Sequence, residues 1–139
     1  MPAPNMAARE AVVRLPATIS GLSEAGEALR GFLDTIKLDP SRRYQLELTF
    51  DEIAGNIVRH GQPVSSVELL IAIDDAQAVM TFDDDGVAFD PRTHETRPTG
   101  EQPQIGGLGL VLVKTYASRI EYERTRQHHN RLTLAIPLR

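Results

Sequence analysis

Apolar residues recur along this chain with two different periods. Leu22, Ala25, Leu29, Phe32, Leu33 and Ile36 return at three- and four-residue intervals. That spacing predicts a helix opened by Ser20 or Ser23 and running to about Lys37. Asp39-Pro40 breaks it, because proline restricts the residue before it. Ser41 opens a second helix to about His60, with Tyr44, Leu46, Leu48, Ile53, Ile57 and Val58 as a broad apolar face. Gly61-Gln62-Pro63 ends it. Shorter runs read as strands: AVVRL (Ala11 to Leu15), VELLIAI (Val67 to Ile73) and AVMTFD (Ala78 to Asp83), the last two joined by an Asp74-Asp75 turn. A third helix spans about Leu108 to Ser118. Ile120 to Thr125 and Arg131 to Pro137 close the chain as a hairpin around His128-His129-Asn130.

The predicted order is β-α-α-β-β-loop-α-β-β. Strands joined by hairpins and helices arriving in pairs predict an α+β fold. The expected architecture is a two-layer sandwich, with a mixed, mainly antiparallel sheet and three main helices on one face. It is not the alternation of a doubly wound parallel sheet. Residues 1–10 read as a flexible Pro/Ala tail, and residues 11–139 as one domain. Between Asp84 and Gly107 lies a long polar stretch rich in Pro, Thr, Gly and charge. Loops of that length in compact domains are usually functional or disordered.

Composition narrows the chemistry. The 139 residues suit one hydrophobic core. A net charge of −4 argues against a general nucleic-acid binder, which needs a basic field over the phosphates. It leaves room for an anionic small ligand held by local groups. The absence of cysteine excludes thiol catalysis, thiolate metal sites and disulfides. No apolar run approaches the roughly 20 residues of a membrane helix. MPAPNMAARE lacks a basic region followed by an apolar one, so no secretion signal and a cytoplasmic location are expected.

Three constellations stand out. Glu52, Asn56 and His60 recur every four residues, which sets them along one helical face. An amide oxygen there can ligate magnesium, and a carboxylate one turn away can accept a proton. The bland alternative is a solvated polar stripe. Next comes DDDGVAFDP, from Asp83 to Pro91. A carboxylate at a strand end can accept a hydrogen bond from an exocyclic amine, and Gly86 lets backbone approach a flat ring. It also reads as an acidic turn; a calcium loop fits poorly, lacking the alternating ligands and the closing Glu. Last is IGGLGL, where Gly106, Gly107 and Gly109 run into the third helix. Free backbone N–H groups and the helix dipole attract phosphate there. A hinge packed against the sheet is the alternative, since neither the Walker nor the dinucleotide spacing is present.

Taken in order, Glu-x3-Asn-x3-His on a helix, strand then Asp-x-Gly, a variable loop, and Gly-Gly-x-Gly-Leu on a helix resemble the GHKL ATP-binding superfamily, with its Bergerat α/β sandwich. The resemblance covers about Val12 to Leu138. Within the superfamily, the chain's small size, DDGVAFDP and NRLTLAIPL resemble the anti-sigma factor serine/threonine kinases of bacterial partner-switching systems. The resemblance implies ATP and Mg2+ as cofactors. It makes Asn56 the magnesium ligand and Glu52 the catalytic base, with His60 shaping the pocket. Asp84 would accept the adenine amine over Gly86. Thr133 would hold a water or the adenine edge. Gly106, Gly107, Gly109 and Leu110 would approach the phosphates, and residues 92–105 would form the ATP lid. Ala88 departs from the pattern by standing where the family places a second glycine.

The same resemblance implies a serine or threonine acceptor on a STAS-type anti-anti-sigma protein. It implies a competing sigma factor or other regulator, and a homodimer, with no direct nucleic-acid or membrane partner. A histidine-kinase reading lacks a helical phosphoacceptor segment before Val12, and His94, His128 and His129 read as loop and turn residues. A gyrase- or chaperone-like ATPase would bring a larger lid and further domains. Two functions follow as expectations: an active ATP-dependent protein kinase, or a binding module that holds ATP and sequesters a partner with little transfer.

Overall fold

The structure, a computed structural model, describes residues 8–90, 92 and 105–139. Eight elements follow in the order expected: β1 (Arg9–Pro16), α1 (Ile19–Asp34), α2 (Pro40–His60), β2 (Ser66–Ile73), β3 (Gln77–Asp84), α3 (Ile105–Tyr116), β4 (Arg119–Arg124) and β5 (Asn130–Pro137). The five strands form one sheet in the order β1-β2-β3-β5-β4, and all four pairings are antiparallel. The result is the α+β sandwich, three helices against one face of the sheet. The tail residues 1–7 and most of the expected lid fall outside the described residues.

Boundaries differ from expectation where side chains cap the helices. Thr18, rather than Ser20 or Ser23, caps α1, its Oγ1 accepting from the Gly21 N–H at 3.0 Å. Asp39 caps α2, its carboxylate accepting from the Ser41 N–H at 2.8 Å. Pro40 therefore begins the helix instead of breaking the chain, because the first helical N–H has no intrahelical partner to lose. β1 starts two residues early because Arg9 and Glu10 continue the pairing with Ile73 and Ala72 of β2.

The core is built from both periods. Ala25, Leu29 and Leu33 bury one stripe of α1, and Leu46, Phe50, Ile53 and Ala54 one stripe of α2. Alternate residues of the sheet meet them: Val67, Leu69, Ile71 and Ile73 on β2, Ala78, Met80 and Phe82 on β3, Leu132, Leu134 and Ile136 on β5. Each large side chain buried this way contributes roughly 1.5–3 kcal/mol of transfer free energy. Tyr44, expected on the apolar face of α2, is exposed, since it precedes the stretch that meets the sheet. The other sheet face carries Val12 and Leu70, both exposed, and the Arg14–Glu68 and Arg131–Asp83 ion pairs.

The third helix begins at Ile105, earlier than expected. Gly106, Gly107 and Gly109 thus lie inside its first turns rather than ahead of it. Glycine costs roughly 0.5–1 kcal/mol against alanine in a helix, so packing must supply a reason, and at Gly109 it does.

Candidate functional site

A cleft of about 320 Å³, open mouth included, lies between α2 and the ends of β3, β4 and β5. Ile53, Asn56 and Ile57 line it from α2, Asp84 from β3, Phe89 from the segment after β3, Tyr122 from β4, and Asn130 and Leu132 from β5. It is apolar with a few convergent polar groups, the usual character of a small-molecule site.

Asp84 is the buried carboxylate of the described residues, 4% exposed. It sits in phase with Met80 and Phe82 on the inner face of β3, so strand periodicity drives it inward. Its Oδ1 accepts from the Gly86 N–H at 2.9 Å and from the Asn130 amide Nδ2 at 3.1 Å. Among the described residues no group donates to Oδ2, which leaves that oxygen for a ligand's N–H. Burial pushes its pKa up, and the two hydrogen bonds oppose the rise.

The neighbouring carboxylates do other work. Asp83 points to the outer face, where it meets His129 Nδ1 at 2.6 Å and Arg131 at 3.2 Å. Asp85 holds the start of β2, accepting from the Ser65 hydroxyl and from the Ser65 and Ser66 N–H groups at 2.8 and 3.2 Å. The Ser65 hydroxyl, first, and these N–H groups lower its pKa to about 2. Gly86 follows. A Cβ on it would stand 2.5 Å from the Gly61 carbonyl oxygen, to which Val87 N–H donates at 3.1 Å. Gly86 therefore lets the segment lie on the end of α2, whatever else approaches it.

On α2, Asn56 is half-buried in the cleft wall, and no described group hydrogen-bonds to its amide. Glu52, one turn earlier, faces α3 instead. A Cβ on Gly109 would overlap its carboxyl. Its Oε2 is shielded from solvent and has no hydrogen-bond partner among the described residues. Burial raises the Glu52 pKa, Arg59 lowers it and Asp51 adds to the rise. An acid held toward its neutral form in this way is suited to exchange a proton.

This arrangement of α2, the end of β3 and the start of α3 lies within residues 15–136, which match the family described as the histidine kinase-like ATPase domain. The chain belongs to that family. No curated protein matches it.

As a histidine kinase-like ATPase domain, the chain brings some expected residues together and separates others. Asn56 and Asp84 share the cleft, and Glu52 meets Gly109. His60 is exposed one turn past Asn56 and does not line the cleft. Ala88 is also exposed. Leu110 is a core residue, 3% exposed, bordering a neighbouring hollow with Val113, Ile120 and Leu134. Thr133 lies out of phase with Leu132 and Leu134. It stands opposite Thr81 on the outer face and does not reach the cleft. Gly106 and Gly107 lie in the first turn of α3. The lid, expected at 92–105, is described only at Arg92 and Ile105.

Sequence reading missed Asn130 and Tyr122. Their signal was available: Asn130 is a polar residue in phase with Leu132, Leu134 and Ile136, so strand period 2 turns it inward. Tyr122 is likewise in phase with Ile120. Among the described residues no cluster of three acidic or histidine side chains is set to hold a metal ion, and no helix is long and apolar enough to cross a membrane.

Proposed function

We propose that this domain is an ATP-dependent serine/threonine-protein kinase of the anti-sigma type, phosphorylating a STAS-type anti-anti-sigma protein and holding a sigma factor or other regulator in competition with it. The observation that carries the reading is the convergence of Asp84 and Asn56 on one cleft from two elements. The buried carboxylate has an oxygen open to an exocyclic amine. The Asn56 amide has no competing partner among the described residues, so its oxygen suits magnesium, a hard cation that takes oxygen ligands and keeps phosphates and water in its shell. Magnesium, when bound, supplies charge neutralisation on the phosphates, which is most of what phosphoryl transfer requires. The first turns of α3 offer backbone N–H groups to the same phosphates. Glu52 takes the proton of the attacking hydroxyl, an action its raised pKa favours. A homodimer completes the proposed assembly.

One observation favours a second reading, an ATP-binding module that sequesters a partner with little transfer. The Glu52 carboxyl lies under Gly109 and outside the cleft lined by Asn56 and Asp84. A base kept there contributes nothing until α3 shifts.

The test is transfer of label from ATP, with magnesium, to the STAS-type protein encoded nearest to this one. Label on a partner serine or threonine supports the kinase. A stable complex with ATP bound and no label supports the binding module. Failure to bind ATP by calorimetry overturns both.

A further inference from the structure

Asn130 makes more side-chain hydrogen bonds than the cleft's architecture alone requires. It is 5% exposed, at the first position of β5. Its Nδ2 donates to Asp84 Oδ1 at 3.1 Å and to the Val87 carbonyl at 2.7 Å. Its Oδ1 accepts from the Tyr122 hydroxyl at 2.5 Å, the Arg124 guanidinium at 3.2 Å and the Phe89 N–H at 3.3 Å. Arg124 also donates to the Gly86 carbonyl at 2.8 Å. One side-chain amide thus joins β3, the segment from Gly86 to Phe89, β4 and β5. The chain of contacts extends further: the Arg92 guanidinium lies 6.0 Å over the Tyr122 ring and pairs with Asp90 at 2.7 Å.

An amide is the side chain this junction needs. It offers donors and an acceptor at once, so the donors can face a carboxylate while the acceptor faces a phenol and a guanidinium. A carboxylate here would place two negative charges together, and an ammonium would offer no acceptor to the Tyr122 hydroxyl, which donates to Asn130. Among the described residues both donors to Asp84 fall on Oδ1, so Asn130 and the Gly86 N–H fix which carboxylate oxygen faces the cleft. We infer that Asn130 is a positioning residue for ligand selection: it orients the Asp84 carboxylate so that Oδ2 meets a 6-amino group, and ties the cleft wall at Val87 and Phe89 to the β4–β5 hairpin. This rests on the proposed reading of the cleft as a nucleotide site. It predicts selectivity for a 6-aminopurine nucleotide over its 6-oxo counterpart, set by Asn130 without direct contact.

Asn130→Asp keeps the shape and the acceptor for Tyr122 while removing the donor to Asp84. Asn130→Ala removes both, and Tyr122→Phe removes only the phenol donor. Calorimetry on the full chain with ATP and with ITP should give a ratio of affinities that falls about tenfold in both Asn130 variants, the scale of one charge-assisted hydrogen bond, and less in Tyr122→Phe. Carboxyl titration of Asp84 by NMR should move upward in Asn130→Ala, since a donor to the ionised form is lost; Asn130→Asp adds a negative charge that raises it for a second reason. A thermal transition retained in Asn130→Asp shows that the variant is folded; if Asn130→Asp does not fold, Tyr122→Phe carries the ratio test. An unchanged ATP/ITP ratio in folded Asn130→Asp overturns the inference, because a purely structural amide would weaken both nucleotides alike. Binding of neither nucleotide by the wild type overturns the nucleotide reading and the selectivity role with it. In that case an unmoved Asp84 titration in Asn130→Ala overturns the positioning role as well, and an upward shift there upholds it.

Discussion

Gly109 and Glu52 share one space: the backbone of α3 lies so close to the Glu52 carboxyl that a Cβ on Gly109 would overlap it. Two opposed effects therefore meet in Gly109→Ala. Alanine favours a helix over glycine by about 0.8–1.0 kcal/mol, whereas overpacking a filled contact costs about 1–3 kcal/mol. The clash is with the far end of a flexible side chain that no described hydrogen bond holds, so the carboxyl can swing aside and the two effects should nearly cancel. We expect urea unfolding within about 1 kcal/mol of wild type. A loss of about 3 kcal/mol or more would show that the Glu52 carboxyl is fixed in place.

Glu52→Gln separates stability from activity. The raised pKa means that the fold disfavours the charged carboxylate. Its contribution to stability is greatest below the unfolded pKa and is lost as pH rises through the folded one. Glutamine carries no charge, so it removes that pH-dependent decline. Urea unfolding at pH 7 should find Glu52→Gln at least as stable as the wild type, and the difference should vanish at acid pH. ATP binding should persist while transfer to the partner is lost. A variant with wild-type turnover would remove Glu52 from the role of base.

Glu52 also shows how much of this molecule was legible in its sequence. The helical stripe Ala25, Leu29 and Leu33 and the strand alternation of β2 and β3 were, because burial enforces their periods. The four-residue spacing set Glu52 and Asn56 on one face, but spacing alone does not say that one turn meets α3 and the next lines the cleft. That division depends on a tertiary contact, between α2 and α3. Caps were misplaced because Thr18 and Ser20 both stand at the start of the helical pattern, and only backbone geometry makes Thr18 the cap and Ser20 a residue of the first turn. Thr133 is a different case. Resemblance placed it at the site, yet Leu132 and Leu134 on either side of it are core residues, so period 2 alone turns Thr133 outward and Asn130 inward.

Asn56 and Asp84 face one cleft and should fail differently. Asn56→Ala removes an amide oxygen, so nucleotide binding should lose its dependence on magnesium. Calorimetry with and without the metal checks this, and a magnesium effect of wild-type size would discount Asn56 as a ligand. Asp84→Asn exchanges the free acceptor for an amide. ATP affinity should fall at least about tenfold, in line with hydrogen bonds to charged groups, with or without the metal.

Asp84 and Asp85 are sequence neighbours whose ionisation is pushed in opposite directions, and the pH dependence of stability should resolve them. Asp85 titrates at about 2 in the fold, against about 3.9 for an unperturbed aspartate. Its stabilising contribution is complete above the unfolded value and is lost as pH falls through the folded one. Asp85→Asn should therefore flatten the acid limb between about pH 4 and pH 2. It should cost about 1 kcal/mol at neutral pH, once solvent screening of a loop carboxylate is allowed for. Asp84 behaves in reverse. Burial raises its pKa, so its contribution is present below the unfolded value and declines as pH rises through the folded one. Asp84→Asn should remove that decline above pH 4 and leave the acid limb untouched. Urea unfolding across pH 2 to 8 measures both effects. Parallel curves for the two variants would contradict the assignment of one carboxylate to the cleft and the other to the cap of β2.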